Sequence, residues 1–413
     1  LDADEEASDA GAITMTNLPR VKIAHMADTH LGYRGLTRID PESDRNQRAV
    51  DVELAYERTI DAILAESPDL VVHSGDAFHH TRPTWHALRT FVRQTRRIAQ
   101  AGIPMVIIAG NHDTPRLRTN GTAWSVLELA LPEIDFITGF EEESRQFESL
   151  GVRVVGIPHG AMSMSVYDPY ATIKDGWRNI LLLHGMVPGM ADIAHYEPGT
   201  QEIAANLLDP RFQYIALGHY HVHGPQRHNA WYAGSTERFG WGDENVVPGF
   251  TMVEFATGER EHPVVEHRPI DARPMKTLAP INGEGRPPRE IADMALKRAR
   301  AVDDATAMIR IELRNVNRAT RREAEQLVRR ELDNVVWSLE FYQRAELAQT
   351  LGAVESPELD QINIPTLFNE FVTEQTASGR YTPEFATSFR AKGVAALGQA
   401  IEQVSISLAE DER

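Results

Sequence analysis

Residues 21–32 read VKIAHMADTHLG, an apolar run that ends at Ala27 and passes directly into Asp28, Thr29 and His30. A short apolar run bounded by small and polar residues reads as a buried strand, so the polar residues stand just beyond the strand's carboxyl end. The same pattern returns four times. Gly75-Asp76 follows Leu70 to Val72, Gly110-Asn111-His112-Asp113 follows Met105 to Ala109, His184-Gly185 follows Ile180 to Leu183, and Gly218-His219-Tyr220-His221 follows Tyr214 to Leu217. Further strand-like runs are Val152 to Ile157 and Trp231 to Ala233, and Phe250 to Phe255 with Val264 to His267 reads as a closing hairpin. Between the first two strands, Val50, Leu54, Ile60, Ile63 and Leu64 recur at helical spacing and mark a covering helix. Strands that alternate with helices predict a layered α/β domain. In such sheets ligands gather beyond the carboxyl ends of the strands, so the five polar clusters are expected to meet at one point.

Taken singly, each cluster has an ordinary explanation. Asp-X-His after a strand is a common turn pair, Asn111 beside Gly110 suits a left-handed turn, and an isolated histidine is more often structural. The ordered series is different, because independent turns have no reason to select Asp, Asp, Asn, His and His-X-His in succession. Two divalent ions need an anionic bridge and roughly three further protein ligands each. Asp28, His30, Asp76, Asn111, His184, His219 and His221 supply that inventory. Mixed imidazole and carboxylate donors suit manganese, iron or zinc better than magnesium or calcium.

Composition narrows the chemistry further. The 413 residues contain no cysteine, which removes zinc ribbons, iron-sulfur clusters and thiol nucleophiles together. There is no Gly-x-x-x-x-Gly-Lys-Ser/Thr loop, so an ATP-driven step would need another chain, and neither Gly-x-Ser-x-Gly nor His-Glu-x-x-His occurs. No apolar stretch approaches the roughly 18 residues of a membrane span, and Leu1 to Ala10 is acidic rather than signal-like. A cytoplasmic protein without a membrane role is expected. The formal net charge of -18 argues against indiscriminate coating of nucleic acid. It is unevenly spread: Arg82 to Arg118 holds seven Arg against the one acid Asp113, and residues 286–330 hold twelve basic against seven acidic residues.

The expected organisation is a flexible leader over 1–20, a main α/β domain over 21–275, a linker over 276–290 and a small α/β module over 291–345. A helical region over 346–413 follows. The linker reading rests on Pro280, Gly283, Gly285, Pro287 and Pro288. In the module, Ile309, Ile311 and Leu313 alternate with Arg310 and Glu312, and Val335, Trp337, Leu339 and Phe341 alternate in a second strand. In the helical region Ile364, Leu367, Phe368, Phe371 and Val372 form an apolar stripe suited to folding back on the body or to docking a partner.

Three stretches are more specific than the candidate ligands they flank: Ala27-Asp28-Thr29-His30-Leu31-Gly32, Gly75-Asp76-Ala77-Phe78-His79 followed by Arg82-Pro83, and Tyr232-Ala233-Gly234-Ser235-Thr236-Glu237-Arg238. On these the chain resembles the calcineurin-like metallophosphoesterases and, more narrowly, the SbcD family of nuclease subunits, counterparts of the meiotic recombination nuclease of archaea and eukaryotes. The likeness is strong over about Val21 to Ile270, extends to the small module in layout, and to the tail only in character. It implies a layered β-sheet core flanked by helices, an α/β capping domain and a helical C-terminal tail.

Carried over to this chain, the resemblance implies one ion held by Asp28, His30, Asp76 and His221, and a second by Asp76, Asn111, His184 and His219, with Asp76 bridging. Manganese is the expected metal, with iron or zinc as alternatives. His112 matches the catalytic histidine, Asp113 is expected to orient its imidazole, and His79 matches a histidine near the substrate. The implied activity is 3′ to 5′ exonuclease and single-strand endonuclease in DNA double-strand break repair. The implied partners are DNA, an SMC-like SbcC-type ATPase bound by the stripe from Ile364 to Val372, and a second copy of the chain. Arg89, Arg93, Arg96 and Arg97 are candidates to position DNA, while Leu88, Phe91 and Val92 on the same helix are candidates for the homodimer face. His25, His73, His80, His86, His159, His195 and His223 are read as packing or surface residues. The alternatives are a phosphodiesterase or phosphatase on small nucleotides, and a DNA-end tether with a vestigial site.

Overall fold

The computed structural model describes residues 18–115, 121–162, 173–188, 202–332 and 335–343, with isolated positions between 372 and 393. The chain divides into two units, Leu1–Tyr342 and Gln343–Arg413. Two six-stranded sheets form the body of the first. One runs in the order Val264–Pro269, Gly249–Phe255, Val21–Met26, Leu70–His73, Met105–Ile108, Asp135–Ile137, and the last four strands are parallel. The other runs Gly224–Pro225, Ala230–Tyr232, Tyr214–Gly218, Arg178–His184, Val152–Gly156, Glu143–Phe147, with its four central strands parallel.

Side-chain alternation builds the layers. Val21, Ile23, Leu70, Val72, Val106 and Ile108 of the first sheet face Val152, Val154, Ile180, Leu182 and Ala216 of the second. One polar chain crosses this apolar interlayer. Tyr214 Oη donates to His25 Nδ1 at 2.9 Å, His25 Nε2 donates to Ser74 Oγ at 3.0 Å, and Ser74 Oγ donates to the Ala216 carbonyl at 3.1 Å. Every member of the chain is satisfied, as burial demands.

The outer face of the first sheet carries helices α1 (Gln47–Glu66), α2 (Trp85–Gln100) and α3 (Trp124–Ala130). Asn46 caps α1 by accepting from Ala49 N, and Thr84 caps α2 by accepting from Ala87 N. The covering stripe of α1 is Val52, Tyr56, Ile60 and Ile63, whereas Leu54, expected on that face, is 40% exposed. At about 100° per residue Leu54 stands opposite Ile63, so the face shared by Val52, Tyr56, Ile60 and Ile63 turns it to solvent.

The small module is a parallel sheet, Met275–Asn282, Met308–Arg314 and Ser338–Tyr342, with helices Pro288–Arg300 and Arg318–Glu331 against Ile281, Ile311, Leu313 and Phe341. The expected linker over 276–290 is therefore corrected, since most of it is strand and helix start. Pro280 has no N–H to give and sits on an edge strand at the register shift between Leu278 and Ile281, where proline is tolerated. Pro288 opens a helix, again where a missing N–H costs nothing. The module is no separate body either, because it clusters with the main sheets in one unit.

In the second unit Val372 is a buried helical position. Ile364, Leu367, Phe368 and Phe371 lie outside the described residues. Among the described residues no helix is long and apolar enough to cross a membrane.

Candidate metal centre

The loops that leave the strands are bound to each other before any side chain is considered. Asp28 N donates to the Gly75 carbonyl at 3.1 Å, His30 N to Asp76 O at 3.0 Å, and Leu31 N to Ala77 O at 2.9 Å. Asp28, His30, Asp76 and His219 all adopt positive φ, at 52°, 42°, 55° and 97°. Such conformations cost an L-residue roughly 1–3 kcal/mol each and persist where surrounding structure over-determines them. Close approach requires glycine before three of the clusters, Gly218 among them, where a Cβ would fall on the Ser74 carbonyl. A Cβ on Gly75 would meet the His184 ring, and one on Gly110 would fall on the Asp76 carboxylate.

All seven expected ligands converge. Donor atoms of Asp28, His30 and His221 lie within 4.8 Å of one another, as do those of Asp76, His184 and His219. Asp76 stands between the groups, with Oδ2 3.2 Å from His184 Nε2 and 3.7 Å from His30 Nε2. Asn111 joins the second group, its Oδ1 lying 2.9 Å from His184 Nε2 and 3.1 Å from His219 Nδ1. Outer partners aim two of the rings. His184 Nδ1 donates to Ser74 O at 2.7 Å, and His221 Nδ1 lies 3.1 Å from both oxygens of Asp243, so each turns Nε2 inward. Carbonyl and carboxylate partners of this kind are what metal-ligating imidazoles need to hold tautomer and orientation.

The electrostatics favour a cation. Burial, opposed by His184 and His221, pushes the Asp28 carboxyl up to about 7. Burial would raise Asp76 as well, yet His184, His30 and His112 hold it well below the usual carboxylate range. Burial lowers His184, but the Asp76 and Asp28 carboxylates outweigh it and raise the imidazole to about 9. Two buried carboxylates facing neutral or proton-compensated imidazoles make a donor set that fits a pair of divalent cations.

Beside this set lies a cavity of about 420 Å³ lined by His79, His80, Arg82, Asn111, His112 and Thr114 among others. His112 N donates to Asp76 Oδ1 at 2.9 Å, and His112 Nδ1 donates to the His79 carbonyl at 2.9 Å, leaving Nε2 4.0 Å from Asp76 Oδ2. The His79 ring stacks on His112 with centroids 5.0 Å apart, and its Nδ1 is 3.3 Å from His30 Nδ1. Asp113 does not orient His112 as expected. Its two oxygens accept from Ala77 N and Phe78 N at 2.9 Å and from Gly110 N at 3.3 Å, so it clamps the loop backbone instead.

Other expectations change in detail. His80, read as packing or surface, lines the cavity. Phe91 is fully buried against Phe78 and Trp124 and offers no homodimer face, while Leu88 and Val92 pack partly against the core. Arg93 and Arg97 pair with Glu57 at 3.3 Å and Asp61 at 2.6 Å on α1, Arg96 donates to Ala130 O at 3.2 Å, and Arg89 is exposed. Sequence reasoning missed Phe239, whose ring lies 4.7 Å from His30 and 5.2 Å from His221, and it missed Asp243. Neither follows an apolar strand, so neither carried the signal that found the others.

A family model, Calcineurin-like phosphoesterase, matches residues 21–244. The chain belongs to that family. Among relatives of this calcineurin-like phosphoesterase is the DNA double-strand break repair protein Mre11 of Saccharolobus solfataricus, 32% identical over 205 residues that make up 49% of this chain and 50% of that one. Proteins of the same description from Thermoplasma acidophilum and Haloferax volcanii are 30% identical over 57% of this chain and 62% of theirs, and 29% identical over 71% and 61%. The chain spans about half the length of the curated relatives it matches first.

Proposed function

We propose that the chain is a two-cation phosphodiesterase that cuts DNA in double-strand break repair. The observation that carries this reading is the Asp76 carboxylate set between two groups of ligating side chains, 3.2 Å from His184 and 3.7 Å from His30. Asp28, His30, Asp76 and His221 would hold one cation, and Asp76, Asn111, His184 and His219 the other. Bound there, divalent cations neutralise phosphoryl charge and make water a nucleophile near neutral pH. The protein's own part is positional. His112, at the cavity wall with its Nδ1 proton anchored on the His79 carbonyl, presents Nε2 to the phosphate or the leaving oxygen. His79 and Arg82 line the same wall and suit contact with the phosphodiester backbone.

The finer assignments belong to the same proposal. Manganese is the preferred metal on the donor set, with iron or zinc as alternatives. The direction is 3′ to 5′ on ends, with endonuclease action on single strands, and a DNA substrate goes with the cytoplasmic location expected from the sequence. An SMC-like ATPase docks on the stripe from Ile364 to Val372. The homodimer face moves from Phe91 to Trp85 on α2 and Leu129 on α3, 86% and 84% exposed on helices joined through Phe91 and Trp124.

The test is incubation of the purified chain with linear DNA and with a chromogenic diester, in manganese or in chelator. Cleavage of DNA that needs manganese and falls by roughly a hundredfold or more in His112→Ala supports the reading. Turnover of the diester with DNA left intact would favour a small-nucleotide enzyme, and no turnover of either would favour a tether.

A further inference from the structure

Thr277, Arg310 and Glu340 lie opposite one another on the three adjacent strands of the small sheet. Neighbouring residues along a strand point to opposite faces. Ile311 and Phe341 face the module's own helices, so this row points the other way, toward the phosphoesterase body. There it closes on one turn, Trp241–Asp243 with Glu244 beside it. Trp241 Nε1 donates to Glu340 Oε2 at 3.1 Å, and Thr277 donates from both N and Oγ1 to the Glu244 carboxylate. The Arg310 guanidinium lies 4.7 Å over the Trp241 ring and 3.5 Å from Glu244 Oε2.

The same turn carries the carboxylate that aims His221. Asp243 is buried, accepts from Phe239 N at 2.8 Å, and places both oxygens 3.1 Å from His221 Nδ1. The corresponding partner of His184 is the Ser74 carbonyl, at the end of a strand of the body. One candidate cation position is thus oriented through a turn that the small module grips, and the other through the main sheet. A second grip steadies the module: the guanidinium groups of Arg38 and Arg273 lie 5.1 and 4.5 Å from the Trp337 ring centroid, and Arg273 pairs with Asp51 at 2.7 Å.

We infer that Asp243 is a positioning residue for His221 and that the small module acts through it. By holding Trp241 and Glu244, the row sets how tightly the Asp28, His30 and His221 side of the centre takes a divalent cation, and leaves the Asp76, His184 and His219 side alone. The inference rests on the two-cation reading proposed above. Its physical basis is that an outer partner fixes the tautomer and basicity of a ligating imidazole.

The experiment is a Mn2+ titration of the full chain by isothermal calorimetry, paired with electron paramagnetic resonance of the bound ion. Wild type is compared with Asp243→Asn, Glu340→Ala and Trp241→Phe, and His221→Gln and His219→Gln mark which binding event belongs to which side. Asp243→Asn is expected to weaken the event marked by His221→Gln by roughly tenfold or more. Glu340→Ala and Trp241→Phe, each removing one hydrogen bond, weaken that same event by about threefold. The event marked by His219→Gln stays at its wild-type affinity throughout. Trp241→Phe keeps a ring under Arg310, so it remains readable if another variant fails to fold. Wild-type affinities in the two module variants, or equal weakening of both events, overturn the inference and leave the two-cation reading standing. Fewer than two events in wild type, or unchanged binding in Asp76→Ala, bring down that reading and the inference with it.

Discussion

Asp113 shows how a residue next to a catalytic candidate can serve the loop instead of the chemistry. Its carboxylate receives three amide N–H groups, from Ala77, Phe78 and Gly110, and so ties the loop that carries Asp76 to the one that carries Asn111. Asp113→Ala leaves those buried donors unmatched, at a cost of about 1–3 kcal/mol each, so thermal unfolding should come several degrees lower. The His112 ring, held by the His79 carbonyl, keeps its orientation, and NMR of its imidazole should show an unchanged Nδ1 proton. A changed His112 signal would restore the role expected from sequence. His25 makes the matching case for a buried histidine outside the centre. Burial, with the nearby His223 and His73, lowers its imidazole to about 3. An unfolded chain binds that proton near pH 6.5, so the stabilisation is complete above pH 6.5 and is lost as pH falls toward 3, by about 1.4 kcal/mol per pH unit. Urea unfolding at pH 7, 6 and 5 should show the wild-type chain losing stability faster than His25→Gln by that slope. Parallel pH dependences would contradict it.

At the scale of elements, the strand ends were the legible part. A buried run followed by Asp, Asn or His is a local signal, and all seven candidate ligands carry it because parallel strands deliver their loops to one edge. What escaped was set by non-local packing. Leu54 stands at helical spacing from Val50 yet faces solvent, because packing selects the opposite face of Val52, Tyr56, Ile60 and Ile63. Pro280 reads as linker but marks an edge strand. The arginines of α2 look like a strip for DNA, yet Arg93 and Arg97 answer acids on α1 that share no sequence neighbourhood with them. Asp243 could not be found because its role depends on the turn of another segment meeting His221. The junctions between strand and loop are also where substitution should be least forgiving. In Gly110→Ala the new methyl falls on the Asp76 carboxylate. Binding of Mn2+ by calorimetry is expected to drop by tenfold or more in that variant, since a ligand displaced by about 1 Å loses its geometry.

For the whole molecule, cation binding and folding are expected to be linked. Asp28, Asp76, Asn111, His184 and His219 come from five separate strand ends in two sheets, so a cation that binds only their assembled form stabilises the sandwich as a unit. At a hundred times its dissociation constant each ion adds about 2.7 kcal/mol. The melting temperature of the wild-type chain should rise with Mn2+ and return with chelator. The rise should be absent in Asp76→Ala, and a rise of wild-type size there would show that the ions bind elsewhere. The tail stripe was legible as a pattern, but only Val372 of it falls among the described residues.

Four of the candidate ligands, Asp28, His30, Asp76 and His219, hold left-handed backbone that their side chains do not prefer. Grafting the seven side chains onto another β-sandwich would therefore reproduce the list of donors without the centre. A successful transplant has to move the paired loops whole, with their glycines and the Asp113 clamp, because the unit of inheritance here is a path of the main chain.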